Sequence, residues 1–195
     1  MDLNYFKRTR ILDGGMGQEL LAKGLISKGT LWSTSAILDE KFHQLLIDVH
    51  TSFINAGANV IVTNNFSSRK VRLIQNKVED KFEYVNKKAC ELANKAREIS
   101  KENILVAGSL PPQNGTYVID ERNINTIKKS FEEQAKIIKP YVDFFYLDVI
   151  SSAKEVEAAC EVTEKMNMPV LVGLHLKKNG KVASGESITE IVKKY

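Results

Sequence analysis

The chain has 195 residues, 43% of them hydrophobic and 27% charged, with 28 Lys and Arg against 24 Asp and Glu. That length suits one compact domain with its own core. The net charge of +4 is small, and basic pairs such as Lys87-Lys88, Lys128-Lys129 and Lys177-Lys178 are scattered, which argues against a nucleic-acid partner.

In chain order, the first predicted strand is Arg10 to Asp13, ended by Gly14-Gly15. A short helix from Met16 to Lys23 follows and stops at Gly24, where a left-handed turn costs little. Phe42, Leu45, Leu46, Val49, Phe53 and Ala56 recur at helical spacing and lead into a strand over Asn59 to Thr63. A second stripe, Phe82, Val85, Ala89, Leu92, Ala96 and Ile99, leads into a strand over Asn103 to Ala107. A third, Ile124, Ile127, Phe131, Ala135 and Ile138, leads into Asp143 to Leu147. A fourth, Val156, Ala159, Thr163 and Met166, opens with Ser152 and Glu155 in a capping-box spacing and leads into Pro169 to Leu174. A last helix begins after Ser187.

The strands are almost continuously apolar, as in a parallel sheet covered on both faces. Alternating strands and helices give an α/β fold of about five βα units. Periodicity leaves an open doubly wound sheet and a barrel both available. A complete (β/α)8 barrel takes about 250 residues, so a barrel here would be partial. Such a partial barrel has two open edges and an unfilled interior, so it is expected to self-associate, to need a complementing half, or to be marginally stable.

No apolar run approaches the roughly 20 residues of a membrane span. The opening MDLNYFKRTR has no apolar core of a secretory signal. Cys90 and Cys160 fall inside helical patterns and form neither a CxxC pair nor a disulfide framework, so a reduced, cytoplasmic compartment is expected. The segment DGGMGQ lacks the spacing of a dinucleotide-binding turn.

Ligands of parallel α/β folds bind where strands end. Those ends carry Asp13, Thr63-Asn64-Asn65, Ser109, Asp148 and His175. Each also has a plainer role: Asp13 and Asp148 as turn or cap residues, the Asn pair as a self-satisfied loop, His175 as a structural histidine and Trp32 as core. Two carboxylates converging on one mouth would suit an ammonium group, and the backbone N–H groups of Gly14-Gly15 would suit a carboxylate. Together they describe a site for a free amino acid.

Several segments carry a resemblance: ILDGGMGQEL, G-x-L-W-S over Gly29 to Ser33, V-H-x-x-F-x-x-A-G-A-N-V-I-x-T-N-x-F over Val49 to Phe66, and GSLPP over Gly108 to Pro112. DVISSAKEVEAA from Asp148 and PVLVGL with SGESI extend it over almost the whole chain. The combination resembles the homocysteine S-methyltransferase family. The resemblance implies a (β/α)8 barrel, with residues 1–195 a homocysteine-binding domain that is incomplete on its C-terminal side. It implies transfer of a methyl group from a donor such as S-methylmethionine, betaine or a methylated folate to the homocysteine thiol, giving methionine. Position by position, Asp13 and Asp148 would hold the substrate's amino group and the backbone of Gly14 and Gly15 its carboxylate. Trp32, Thr63 and Asn64 would line the pocket.

Two departures stand out. The acid on the fourth strand is usually glutamate in the family, and Asp148 is one methylene shorter. The family's zinc is held by cysteines in G-x-N-C and G-G-C-C settings, and neither motif is present. Cys90, Cys160, His43 and His50 do not replace them. Zinc is therefore implied by the family while its ligands are absent from this sequence. The alternative to an enzyme is a non-catalytic amino-acid-binding remnant or an assembly partner.

Overall fold

The computed structural model describes residues 3–195. Its strands are β1 (Val60–Val62), β2 (Leu105–Leu110), β3 (Phe144–Ile150) and β4 (Val170–Leu174). They pair in parallel in the order β1-β2-β3-β4. Sequential order without a reversal is how a barrel begins; a doubly wound sheet reverses at a switch point.

The first expected strand is reduced to one parallel bridge, Leu12 with Val60. Asp13 and the two glycines after it end the ladder at once, and the Asn59 side chain takes the Ile11 N–H at 3.1 Å in place of a backbone partner. The first βα unit is nevertheless in its place beside β1, because Asp13 N–H donates to Val60 O at 2.9 Å.

The helices between the strands are α1 (Met16–Ala22), α2 (Ser35–Leu38), α3 (His43–Asn55), α4 (Lys70–Gln75), α5 (Phe82–Ser100), α6 (Ile124–Ile138), α7 (Ala153–Lys165) and α8 (Ile188–Lys194). Gly24 has φ +96, the left-handed stop expected after α1. At α7 the Ser152 hydroxyl accepts the Glu155 N–H but donates to the Glu155 carboxylate, so the expected box is only half made. The reciprocal box forms at α8, between Ser187 and Glu190.

Alternation along the strands separates two cores. Ile61 and Val106 face outward into a cluster with α3 and α5, and Phe145, Leu147 and Ile150 into one with α6 and α7. Inward lie Val60, Ala107 and Phe144, joined by Leu12, Val62, Leu105, Tyr146 and Leu171. The short turn Leu3–Lys7 plugs this interior from the N-terminal end of the strands: Phe6 meets Phe144 edge-on with ring centroids 5.8 Å apart. Above the apolar layers the inward positions turn polar, at Ser109 on β2 and Asp148 on β3. Among the described residues no strand pairs with the far side of β4, and that strand is half-buried along its whole length.

A wholly buried amide network ties the strand exits to the helices. Asn65 donates to Asn86 at 3.0 Å and to Ser109 O at 3.0 Å, and Gln134 donates to Asn86 at 2.9 Å. Gln113 donates to Gln134 at 2.8 Å. Asn86 is the hub, bonded also to Ser68 O and Phe82 O. Asn86→Leu would strand the Asn65 and Gln134 donors in a dry interior, at about 1–3 kcal/mol each. Urea unfolding should show a loss of about that size; an unchanged midpoint would mean that the network carries no stability.

Candidate functional site

Asp13 leaves the Leu12 bridge at the C-terminal mouth of the sheet, its side chain 4% exposed. Its carboxylate accepts the Val62 N–H at 2.9 Å, so it braces β1 as well as facing the mouth. Burial, assisted by the nearby charge of Asp148, pushes its pKa up to about 7 against the lowering bond from Val62. Asp148 lies inside β3 rather than just beyond it. It accepts a hydrogen bond from the Ser109 hydroxyl at 3.3 Å, and burial pushes it up to about 6. Tyr146 stands two residues earlier on the same face; burial, Asp148 and Asp13 all raise its phenol. Gly173 on β4 leaves the room for that ring, because a Cβ there would sit 2.6 Å from the Tyr146 hydroxyl.

A local irregularity follows directly after Asp148. Between Leu147 and Ile150 β3 carries one residue more than β4, and Val149 takes φ +64. A β-branched residue there is strained, at a cost of order 1–3 kcal/mol. Asp148 points inward by the same alternation as Phe144 and Tyr146; the extra residue falls after it and returns Ile150 to the outward cluster beside α7.

The other expected residues also carry structural contacts. The Thr63 hydroxyl donates to Asn65 at 2.6 Å and accepts the Ser109 N–H at 3.0 Å, clamping β1 to β2. Asn64 donates to Ser33 O at 3.1 Å and so fixes the turn that carries Trp32. Trp32 has φ +51, is 40% exposed, and lies against Gly17, where any Cβ would overlap its indole nitrogen. Gly14 and Gly15 are exposed, with Gly15 at the N-cap of α1, and a Cβ on Gly14 would meet the Phe53 ring at 2.7 Å. The His175 ring packs on Tyr117 with centroids 4.6 Å apart, and its buried Nδ1 has no hydrogen-bond partner.

Sequence reasoning missed Tyr146 and His50 as walls of this site. His50 is fully buried on α3 with Nδ1 4.0 Å from the Asp13 carboxylate. It also missed the buried charges Arg69, Glu155 and Asp120, which lie on loops and a helix start where no period marks burial. Arg69 donates to Pro112 O at 2.6 Å and to Thr116 at 2.8 Å, holding the loop after β2.

The metal that the family implies does not fit these residues. Among those described, no three His, Cys, Asp or Glu side chains converge as ligands. Burial pushes the Cys90 thiol up to about 12 and raises that of Cys160, so neither is poised as a thiolate ligand. Two surface clefts, one around Arg97 and Tyr141 and one around Cys160 and Pro169, open near the N-terminal strand ends, away from the two carboxylates.

The profile of the family described as homocysteine S-methyltransferase matches residues 10–195. The chain belongs to the homocysteine S-methyltransferase family. It is 30% identical over 169 residues to the S-methylmethionine–homocysteine S-methyltransferase BHMT2 of Rattus norvegicus, covering 86% of this chain and 43% of that protein. It is 27% identical over 206 residues to homocysteine S-methyltransferase 2 of Zea mays, covering 92% and 60%. The chain thus spans about half the length of the curated relatives it matches. The metallated form of the homocysteine methyltransferase MmuM from Escherichia coli superposes with a TM-score of 0.83 at 20% identity, covering 97% of this chain and 71% of that one. The family's barrel is thereby the fold, present in part.

The buried carboxyl of Asp148 gives a stability signature. Its folded pKa lies above the usual 3.8, so the stability tied to its proton is full below pH 3.8 and is lost as pH rises through about 6. Asp148→Asn carries no such charge. Relative to the parent, it should gain about 1–3 kcal/mol between pH 4 and pH 8, read by urea unfolding at both pH values. Opposing contributions such as that of His50 cancel in the difference. A stability difference independent of pH would show that Asp148 is not held out of water.

Proposed function

We propose that the mouth binds homocysteine or a close α-amino acid, as the amino-acid-binding portion of a methyl-transfer enzyme. Asp13 and Asp148 hold the ammonium group. The exposed backbone at Gly14 and Gly15 receives the carboxylate, and Trp32 with the Thr63-Asn64 turn forms the wall. The observation that carries this reading is the pair of buried carboxyls facing one mouth, Asp148 repelling the charge of Asp13, with no Lys or Arg paired to them among the described residues. A ligand ammonium relieves both the repulsion and the lost hydration.

The acceptor thiol then lies at the mouth, where a methyl donor can approach it. Activating that thiol as in the family takes a zinc site that Cys90 and Cys160 do not form. Methyl transfer to give methionine therefore depends on ligands from further residues or another chain, and in their absence the chain is a binding domain. The exposed Ile11 and the half-buried β4 mark the two barrel edges that such a complement, or a second copy, would cover. A reduced, cytoplasmic setting suits a substrate that carries a free thiol.

Calorimetric titration with L-homocysteine under reducing conditions tests the binding claim. Affinity should rise as pH passes through about 6 to 7, because the ionised carboxylates are the binding form. Asp13→Asn and Asp148→Asn should each weaken binding tenfold or more, on the order of the loss when one partner of a buried charge pair is removed. 4-Mercaptobutyrate, which lacks the amino group, should not bind. Equal binding of the two compounds would refute the ammonium assignment.

A further inference from the structure

Fully buried imidazoles normally find a hydrogen-bond partner, because leaving one without any costs a few kcal/mol. His50 has none: it is 0% exposed, and both Nδ1 and Nε2 lack a partner. Burial alone holds its pKa down to about 3, so the ring is neutral, with one nitrogen a donor. Leu would fill such a position at lower cost. The polar group to which the ring is directed is the Asp13 carboxylate, 4.0 Å from Nδ1 to Oδ2, about 1 Å beyond hydrogen-bond reach.

Asp13 lacks side-chain donors in a corresponding way. Its carboxylate is served by backbone N–H groups, that of Val62 at 2.9 Å and its own, and among the described residues no side chain donates to it. The titratable groups facing it are Asp148 and Tyr146 from β3 and His50 from α3; the first adds repulsion and the second is a raised phenol. When Asp13 ionises, the Tyr146 hydroxyl can donate from the β3 side, and His50 can supply a donor from behind.

We propose that His50 is a positioning residue for Asp13: its Nδ1–H closes onto Oδ2 when Asp13 ionises, and holds the carboxylate on the ammonium of the bound amino acid. This rests on the amino-acid-binding reading for its ligand half; the His50–Asp13 bond itself is testable without ligand. The ring tautomer follows, with the proton on Nδ1. Closure by about 1 Å needs only a side-chain adjustment at the α3–Asp13 contact.

The test compares the parent chain with His50→Leu and His50→Asn, the latter placing an amide nitrogen where Nδ1 sits. Carbon-detected NMR titration of the Asp13 carboxyl in free protein should show its midpoint rise by about one pH unit in H50L and return most of the way in H50N. L-Homocysteine affinity should fall about tenfold in H50L, with recovery in H50N. The thermal midpoint of H50L should hold or rise, since an unpartnered buried polar group has been removed. An unmoved Asp13 midpoint in H50L would overturn the proposal. So would a fall in affinity that tracks a fall in thermal midpoint in both variants, which marks a merely structural histidine. If the Asp13 midpoint shifts as stated but the parent binds no homocysteine, the His50–Asp13 bond stands and the ligand assignment fails.

Discussion

Two carboxyls kept largely out of water at one mouth are the constraint around which this domain is organised. Each is costly to ionise in place, and the charge of Asp148 makes ionisation of Asp13 harder still. The surroundings do little to neutralise them: backbone N–H groups for Asp13 and one hydroxyl for Asp148, with a neutral imidazole held just out of reach. A site of this kind is poorly solvated when empty and well matched to a cation that brings its own hydrogen-bond donors. An α-ammonium group meets that description, and the family to which the chain belongs supplies a substrate that carries one.

The rest of the fold can be understood as holding that mouth rigid. The Thr63 hydroxyl and the Asn65–Asn86–Gln134–Gln113 amides lock the exits of β1 and β2 to α5 and α6. The bulge at Val149 re-phases β3 after the inward-pointing Asp148, so that Ile150 points out. Gly17 and Gly173 yield space to the Trp32 and Tyr146 rings. Strain at Val149 and an unpartnered His50 are local costs tolerated beside the two carboxyls, which is where functional sites tend to accumulate them.

Much of this was legible in the sequence, for physical reasons that can be named. The runs at Val60–Val62 and Val170–Leu174 stand out because strands covered on both faces are apolar throughout. Asp13 and Asp148 were found because a polar residue closing such a run must sit at a strand end or near it. Beyond these the signals thin out. Gly108 and Ser109 interrupt the apolar run, so β2 extends further than it reads, and the bulge hides the last residues of β3. The helices at Ser35–Leu38 and Lys70–Gln75 are too short to show a period. His50 borders the apolar stripe of its helix and reads as an ordinary helical position, and its orphaned nitrogens exist only in three dimensions. Glutamate-to-aspartate shortening at position 148 is visible in the sequence, whereas the backbone bulge just after it is not.

A crystal structure of this chain grown with L-homocysteine under reducing conditions tests the account most directly. The account places the ligand nitrogen within hydrogen-bond distance of both the Asp13 and Asp148 carboxylates, with the carboxylate end toward Gly14 and Gly15. An amino acid bound in the cleft beside Cys160 or Arg97, or bound at the mouth with its nitrogen turned away from both acids, would contradict it.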